Sequence, residues 1–69
     1  SEIESQEFEF YGVISNVTAQ TFEVRGQTFY YDSSTENRSL LTRNPLPYVE
    51  VKASRSNGRW YAFEIDLED

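Results

Sequence analysis

Two arginines and a tryptophan, Arg55, Arg59 and Trp60, sit close together around an Asn57-Gly58 pair. A guanidinium is a permanent cation with a planar face and an indole is a broad stacking surface, so the combination suits an anionic or planar ligand. Single-stranded nucleic acid is one such ligand, because basic grooves with aromatic platforms hold its phosphates and bases together. Arg25, beside Gly26, is a further candidate cation, and Tyr30 and Tyr48 are candidate aromatic contacts. The plainer reading of the same residues is that the arginines solubilise a hairpin tip while Trp60 covers the outside of the fold.

A second group is rich in oxygen. Asp32, Ser33, Thr35, Glu36 and Asn37 share one stretch, and both ends are acidic, with Glu2, Glu4, Glu7 and Glu9 at the start and Glu64, Asp66, Glu68 and Asp69 at the finish. A hard divalent cation takes such donors, but the central Gly and twelfth-position Glu of an EF-hand loop are missing. The expectation is a polar turn and no metal or other cofactor, with weak divalent-cation binding as an alternative. Catalysis has less to work with. The chain has no His and no Cys, so its serines and threonines lack the usual base, and Lys52, its one lysine, alternates to the water side of a strand. No catalytic residue is assigned and the chain is read as a nonenzymatic protein. Asn16-Val17-Thr18 and Asn37-Arg38-Ser39 fit the glycosylation triplet, which arises often by chance, and no function is given to them.

The elements that position these residues read as strands throughout, since apolar residues recur with period two and nowhere with the spacing of an amphipathic helix. The first strand spans residues 7–17, with Phe8, Phe10 and Ile14 on one side and Gly12 at a bulge or sharp bend. Residues 21–25 put Phe22 and Val24 inward, Gly26 turns the chain, and residues 27–31 return with Phe29 and Tyr31 on one face. Residues 33–47 form the long connection, with a helical turn near Arg38 to Leu41 and with Leu40 and Leu41 plugging one end of the fold. Residues 48–53 face Val49, Val51 and Ala53 inward. Asn57-Gly58 then centres a two-residue type I′ hairpin. The last strand, residues 60–67, places Tyr61, Phe63, Ile65 and Leu67 on one side and Trp60, Ala62, Glu64 and Asp66 on the other, and Glu68-Asp69 is expected to fray.

Three strands in a meander, a long loop and a hairpin predict an all-β, five-stranded, partly open OB-like barrel, one domain over residues 1–69 with an ordered core over 7–67. A chain of 69 residues buries only about 60% of its unfolded surface, so the core has to be efficient. One Trp, five Tyr and five Phe supply it. The formal charge of −6, from 12 acidic and 6 basic residues, opposes nonspecific attraction to nucleic acid or anionic lipid. No apolar run reaches the ~18 residues that span a bilayer, so membrane insertion is not expected. A start at Ser1 with no Met anywhere reads as a mature product or an excised piece.

Gly12-Val13-Ile14, Phe22-Glu23-Val24-Arg25-Gly26, Val49-Glu50-Val51-Lys52-Ala53 and Asn57-Gly58 with Ala62 and Ile65 resemble, in order and spacing, a bacterial family known only as a domain of unknown function. The resemblance spans about residues 7–67. Where that family has a Gly-Asp turn before its fourth strand, this chain has Leu46-Pro47-Tyr48. It implies a small OB-like barrel from an exported or lipid-anchored protein, periplasmic or otherwise extracytoplasmic, often in tandem copies, and it brings no catalytic residues. Function is thus read as a noncatalytic interaction module for a protein, a neighbouring domain or a second copy of itself. Exposed Tyr11, Tyr30, Tyr48 and Trp60 are its expected contact aromatics. The alternative is an OB-type single-strand binder using Arg55, Arg59 and Trp60.

Overall fold

The computed structural model of the chain describes residues 6–68. Five strands, β1 (Phe8–Ser15), β2 (Thr21–Val24), β3 (Gln27–Tyr30), β4 (Tyr48–Ser56) and β5 (Arg59–Leu67), close into a ring in the order β1-β2-β3-β5-β4, with β4 back against β1. The expected all-β, five-stranded barrel is what forms.

Neighbouring strands run antiparallel except at one joint. Both short turns are two-residue loops with left-handed φ at each centre, Arg25 (55°) and Gly26 (82°) between β2 and β3, Asn57 (52°) and Gly58 (75°) between β4 and β5. That is the type I′ geometry whose twist matches the flanking strands. Val24↔Gln27 and Ser56↔Arg59 are accordingly the closing pairs. β1 is shorter than its alternation suggests, because Asn16 turns left-handed (φ 49°) and ends the strand at Ser15 rather than Val17. Thr18 then gathers the corner, its Oγ1 accepting the backbone N–H groups of Gln20 and Thr21.

β1 serves two partners. Phe8 to Val13 pair with β4, while Ile14 and Ser15 pair with β2. The ladder through Gly12 is regular, Tyr11↔Glu50, Gly12↔Val49, Val13↔Tyr48, so the glycine marks no bulge. It marks a close approach instead: a Cβ there would lie 2.8 Å from Val24 Cγ1 and 2.8 Å from Arg25 Cγ. The bulge lies in β5. Lys52 faces Glu64 but Ala53 faces Ala62, so Phe63 is an extra residue that bends the strand and reverses its alternation. Ala62 and Ile65 both point inward as a result, Trp60 joins their side, and Leu67 is 52% exposed. The uniform alternation expected of residues 60–67 is therefore wrong for its first half.

The interior holds Ile14, Phe22, Val24, Phe29, Leu41, Val49, Val51, Ala53, Ala62 and Ile65. Phe22 and Phe29, opposite each other across β2–β3, stack with centroids 5.5 Å apart. Each such side chain contributes about 1.5–3 kcal/mol by leaving water. The long connection carries a 3₁₀ turn at Arg38–Thr42, which lowers Leu41 into one end of the barrel with Leu40 beside it, as the leucine pair suggests.

The single parallel joint, between β3 and β5, is the weak one. Only Tyr30↔Tyr61 pairs directly. Beyond it the connection itself closes the gap. Glu36 N–H donates to the Phe63 carbonyl at 2.9 Å and Glu36 C=O accepts from Ile65 N–H at 3.0 Å. The buried Thr35 hydroxyl donates to the Ala62 carbonyl at 2.6 Å, and Asn37 Nδ2 to the Ile65 carbonyl at 2.9 Å. On the other side of Tyr30, toward the Asn57-Gly58 turn, no further β3–β5 pairing occurs among the described residues.

Candidate binding groove at the β3–β5 seam

Where β3 and β5 part, they leave a groove of about 400 Å³ lined by Gln27, Thr28 and Tyr30 from β3 and by Arg55, Gly58, Arg59 and Trp60 from the hairpin. The hairpin brings its charged residues here because the tight turn pairs Arg55 directly with Trp60 across the ladder. The Arg55 guanidinium carbon stands 5.0 Å from the Trp60 ring centroid. That of Arg59 stands 4.8 Å from the Tyr30 ring. Arg59 and Trp60 are consecutive on a strand, so the two cation–π pairs lie on opposite faces of the hairpin. Its free edge runs between them. A second hollow, of about 430 Å³ and lined by Tyr30, Ser56, Asn57, Arg59 and Tyr61, adjoins the groove through Tyr30 and Arg59.

Trp60 does not cover the barrel exterior as expected. Its ring receives Phe8 at 5.1 Å and Phe10 at 4.9 Å, both edge to face, and packs against the core at the barrel mouth. The reversal at Phe63 is the reason. The indole is thus held on one side by phenylalanines and covered on the other by Arg55.

Among the described residues both ion pairs belong to Lys52, with Glu64 at 3.7 Å and Asp66 at 3.9 Å. The Glu64 charge, foremost, holds the Lys52 ammonium above its ordinary pKa. Glu64 itself is pushed up, chiefly by its hydrogen bond with Asp66, so these carboxylates crowd one cation. Arg55 and Arg59 have aromatic partners and no carboxylate within ion-pair distance among the described residues. A guanidinium stacked on a ring keeps its donor edge outward, ready for a carboxylate or phosphate.

Four of the six sequence candidates therefore meet, Arg55, Arg59, Trp60 and Tyr30. Arg25 does not line the groove; it sits on the neighbouring turn with its stem across Gly12. Tyr48 lies at the opposite end of β4, seven residues from Arg55, which is roughly 23 Å along an extended strand. Gln27, Thr28 and Tyr61 enter the site without having been singled out, because only the β3–β5 contact brings them near the hairpin.

The oxygen-rich stretch is used as stitching. The Asp32 carboxylate accepts from the Tyr61 hydroxyl at 2.7 Å and from Ser34 N–H at 2.9 Å, and the Tyr61 bond is the main reason its pKa is lowered. Burial, then the bond to Asp32, raises that of Tyr61. Thr35 and Asn37 are committed to β5 carbonyls, as above. A further hollow, about 540 Å³ over the 3₁₀ turn, is lined by Thr35, Asn37, Ser39 and Thr42, with Arg38 as its one ionisable side chain. Glu68, expected to fray, donates its N–H to the Tyr48 carbonyl. Glu2, Glu4 and Asp69, part of the acidic ends considered for a cation, lie outside the described residues.

Fold and groove together define a small all-β barrel domain with an arginine–aromatic cleft at its weakest joint. Residues 11–66 match the family model described as Domain of unknown function (DUF5666), and the chain belongs to that family. Comparison with curated proteins and with solved structures finds no match.

Proposed function

We propose that this domain is a noncatalytic interaction module whose β3–β5 groove takes a carboxylate-bearing surface of another protein or neighbouring domain. One observation carries the reading: Arg55 and Arg59, each laid on an aromatic ring, stand without carboxylate partners among the described residues of a molecule of net charge −6. Elsewhere acidic residues outnumber cations, so a local cationic groove is a surface in want of an anion. Placement in a bacterial exported or lipid-anchored protein is part of the proposal and rests on the resemblance in sequence.

Single-strand binding is the second reading, and the strand order with its parallel β3–β5 joint supports it as the arrangement of an OB-type barrel. The aromatic faces argue for protein instead. Trp60 is clasped by two phenylalanines and Arg55, and Tyr30 by Arg59, so neither offers a bare platform to a base.

Trp60 emission reports on the groove directly. A Glu-Tyr repeat peptide and an oligothymidylate are titrated separately at about 20 mM salt, where screening is weak. The peptide is expected to shift the emission, the shift to shrink at high salt, and R55A/R59A to abolish it. A response to oligothymidylate with none to the peptide would replace this reading by the single-strand one, and silence toward both would end it.

A further inference from the structure

The barrel carries a second unusual surface, on the outer face where β1 meets β4. Tyr11, Val13 and Tyr48 are 42%, 53% and 47% exposed. They are contiguous, since Val13 pairs directly with Tyr48 and Tyr11 precedes Val13 by two on the same face. Alternation places Glu9 and Glu50 on that face too, Glu50 being the direct partner of Tyr11. Glu68 is also near: the charges of Glu50, Glu9 and Glu68 help burial hold the Tyr11 hydroxyl above its ordinary pKa. Lys52, opposite Glu9 on this face, stands within ion-pair distance of Glu64 and Asp66, and Glu9, Glu50 and Glu68 have no ion-pair partner of their own among the described residues. The result is an apolar and tyrosine-rich patch rimmed by unpaired carboxylates, the chemical complement of the arginine groove.

We infer that the groove of one copy takes the Tyr11–Tyr48 face of a second copy of this chain, so that the domain associates head to tail. The inference rests on the groove reading above and names its partner. Charge complementarity favours a second copy, because one molecule displays both the unpaired cations and the unpaired carboxylates around exposed aromatics. Geometry forbids a copy from satisfying itself. The patch straddles the outer face of β1 and the half of β4 from Tyr48 to Lys52, whereas the groove lies at the β3–β5 joint and the far tip of β4. Two different surfaces meeting make a heterologous contact, which grows into a chain of copies unless the rotation happens to close a ring. Each added copy presents a fresh groove at one end and a fresh patch at the other.

Charge reversal tests the contact while leaving the core untouched. R55E/R59E makes groove and patch both acidic, and E9K/E50K makes both basic; circular dichroism checks that each still folds. Light scattering after size exclusion, at about 20 mM salt, is expected to show the parent chain growing from 8.1 kDa with concentration. Each reversed variant alone should stay monomeric. Mixed, the two should associate again, because each groove now meets an opposite patch, and about 0.5 M salt should disperse them. A parent chain that stays monomeric at millimolar concentration while its Trp60 still answers the acidic peptide would overturn this inference and leave the groove reading standing. Reversed variants that associate alone, or a mixture that does not, would overturn it as well.

Discussion

Alanine in place of Gly12 would set a methyl carbon 2.8 Å from Val24 Cγ1 and 2.8 Å from Arg25 Cγ. Carbon atoms rest at about 3.5–4.0 Å, so each contact is short by at least roughly 0.7 Å. The two neighbours differ in how they can respond. Arg25 is exposed and its stem can swing away, whereas Val24 is 1% exposed and rigid at its branched Cβ. Overpacking of this kind costs about 1–3 kcal/mol. Alanine recovers about 0.4–1 kcal/mol by stiffening the unfolded chain, so a net destabilisation of about 1–2 kcal/mol is expected. In a domain this small that lowers Tm by about 4–8 °C for each kcal/mol. Urea unfolding of G12A, V24A and G12A/V24A closes a cycle: V24A alone costs about 2 kcal/mol for its lost methyls, and in the double variant the new methyl occupies the vacated space. The pair should be less destabilised than the sum by about 1 kcal/mol. R25A, as control, should give no such relief. G12A within about 0.5 kcal/mol of the parent, or strictly additive effects, would refute the claim that β1 and β2 cross too closely at this point for any side chain.

Two further outcomes follow from the seam. T35V keeps shape but strips the Ala62 carbonyl of its 2.6 Å donor, so unfolding free energy should fall by about 1–3 kcal/mol, and amide exchange at Glu36 and Ile65 should accelerate more than at Val51; equal acceleration everywhere would count against a local joint. The Asp32–Tyr61 bond contributes to stability in a pH-dependent way. Asp32 has a lowered folded pKa, so its contribution is present above the unfolded value and lost as pH falls below about 4. Tyr61 has a raised one, so its contribution is full below about 10 and lost as pH rises past it. In Y61F the loss at both limits should be smaller than in the parent, and urea midpoints that fall in parallel for the two proteins would contradict the assignment.

Turns and core were legible in the residues because each has a local cause. Gly26 and Asn57-Gly58 favour left-handed φ, and Phe22, Val24, Phe29, Val49, Val51 and Ala53 alternate into the interior as their spacing demands. Phe63 was not legible. Nothing in Trp60-Tyr61-Ala62-Phe63 favours turning the larger apolar pair away from the core; the bulge follows from the register against β4, a long-range property. The site inherits this split. Arg55, Arg59 and Trp60 are neighbours through one hairpin, so local reading found them. Tyr30 was found by its type, but its place under Arg59 depends on β3 meeting β5 across the barrel, as do Gln27 and Thr28. Tyr48 stands apart from the groove for the converse reason, being aromatic and exposed but at the far end of its strand.

The ring is joined between β3 and β5 by one direct residue pair and a borrowed loop, and the groove occupies what is left of that joint. A partner seated there would act as a missing stave, bridging β3 and β5 where they do not pair. Occupancy and stability are then linked: a ligand that prefers the native state raises its melting temperature with concentration.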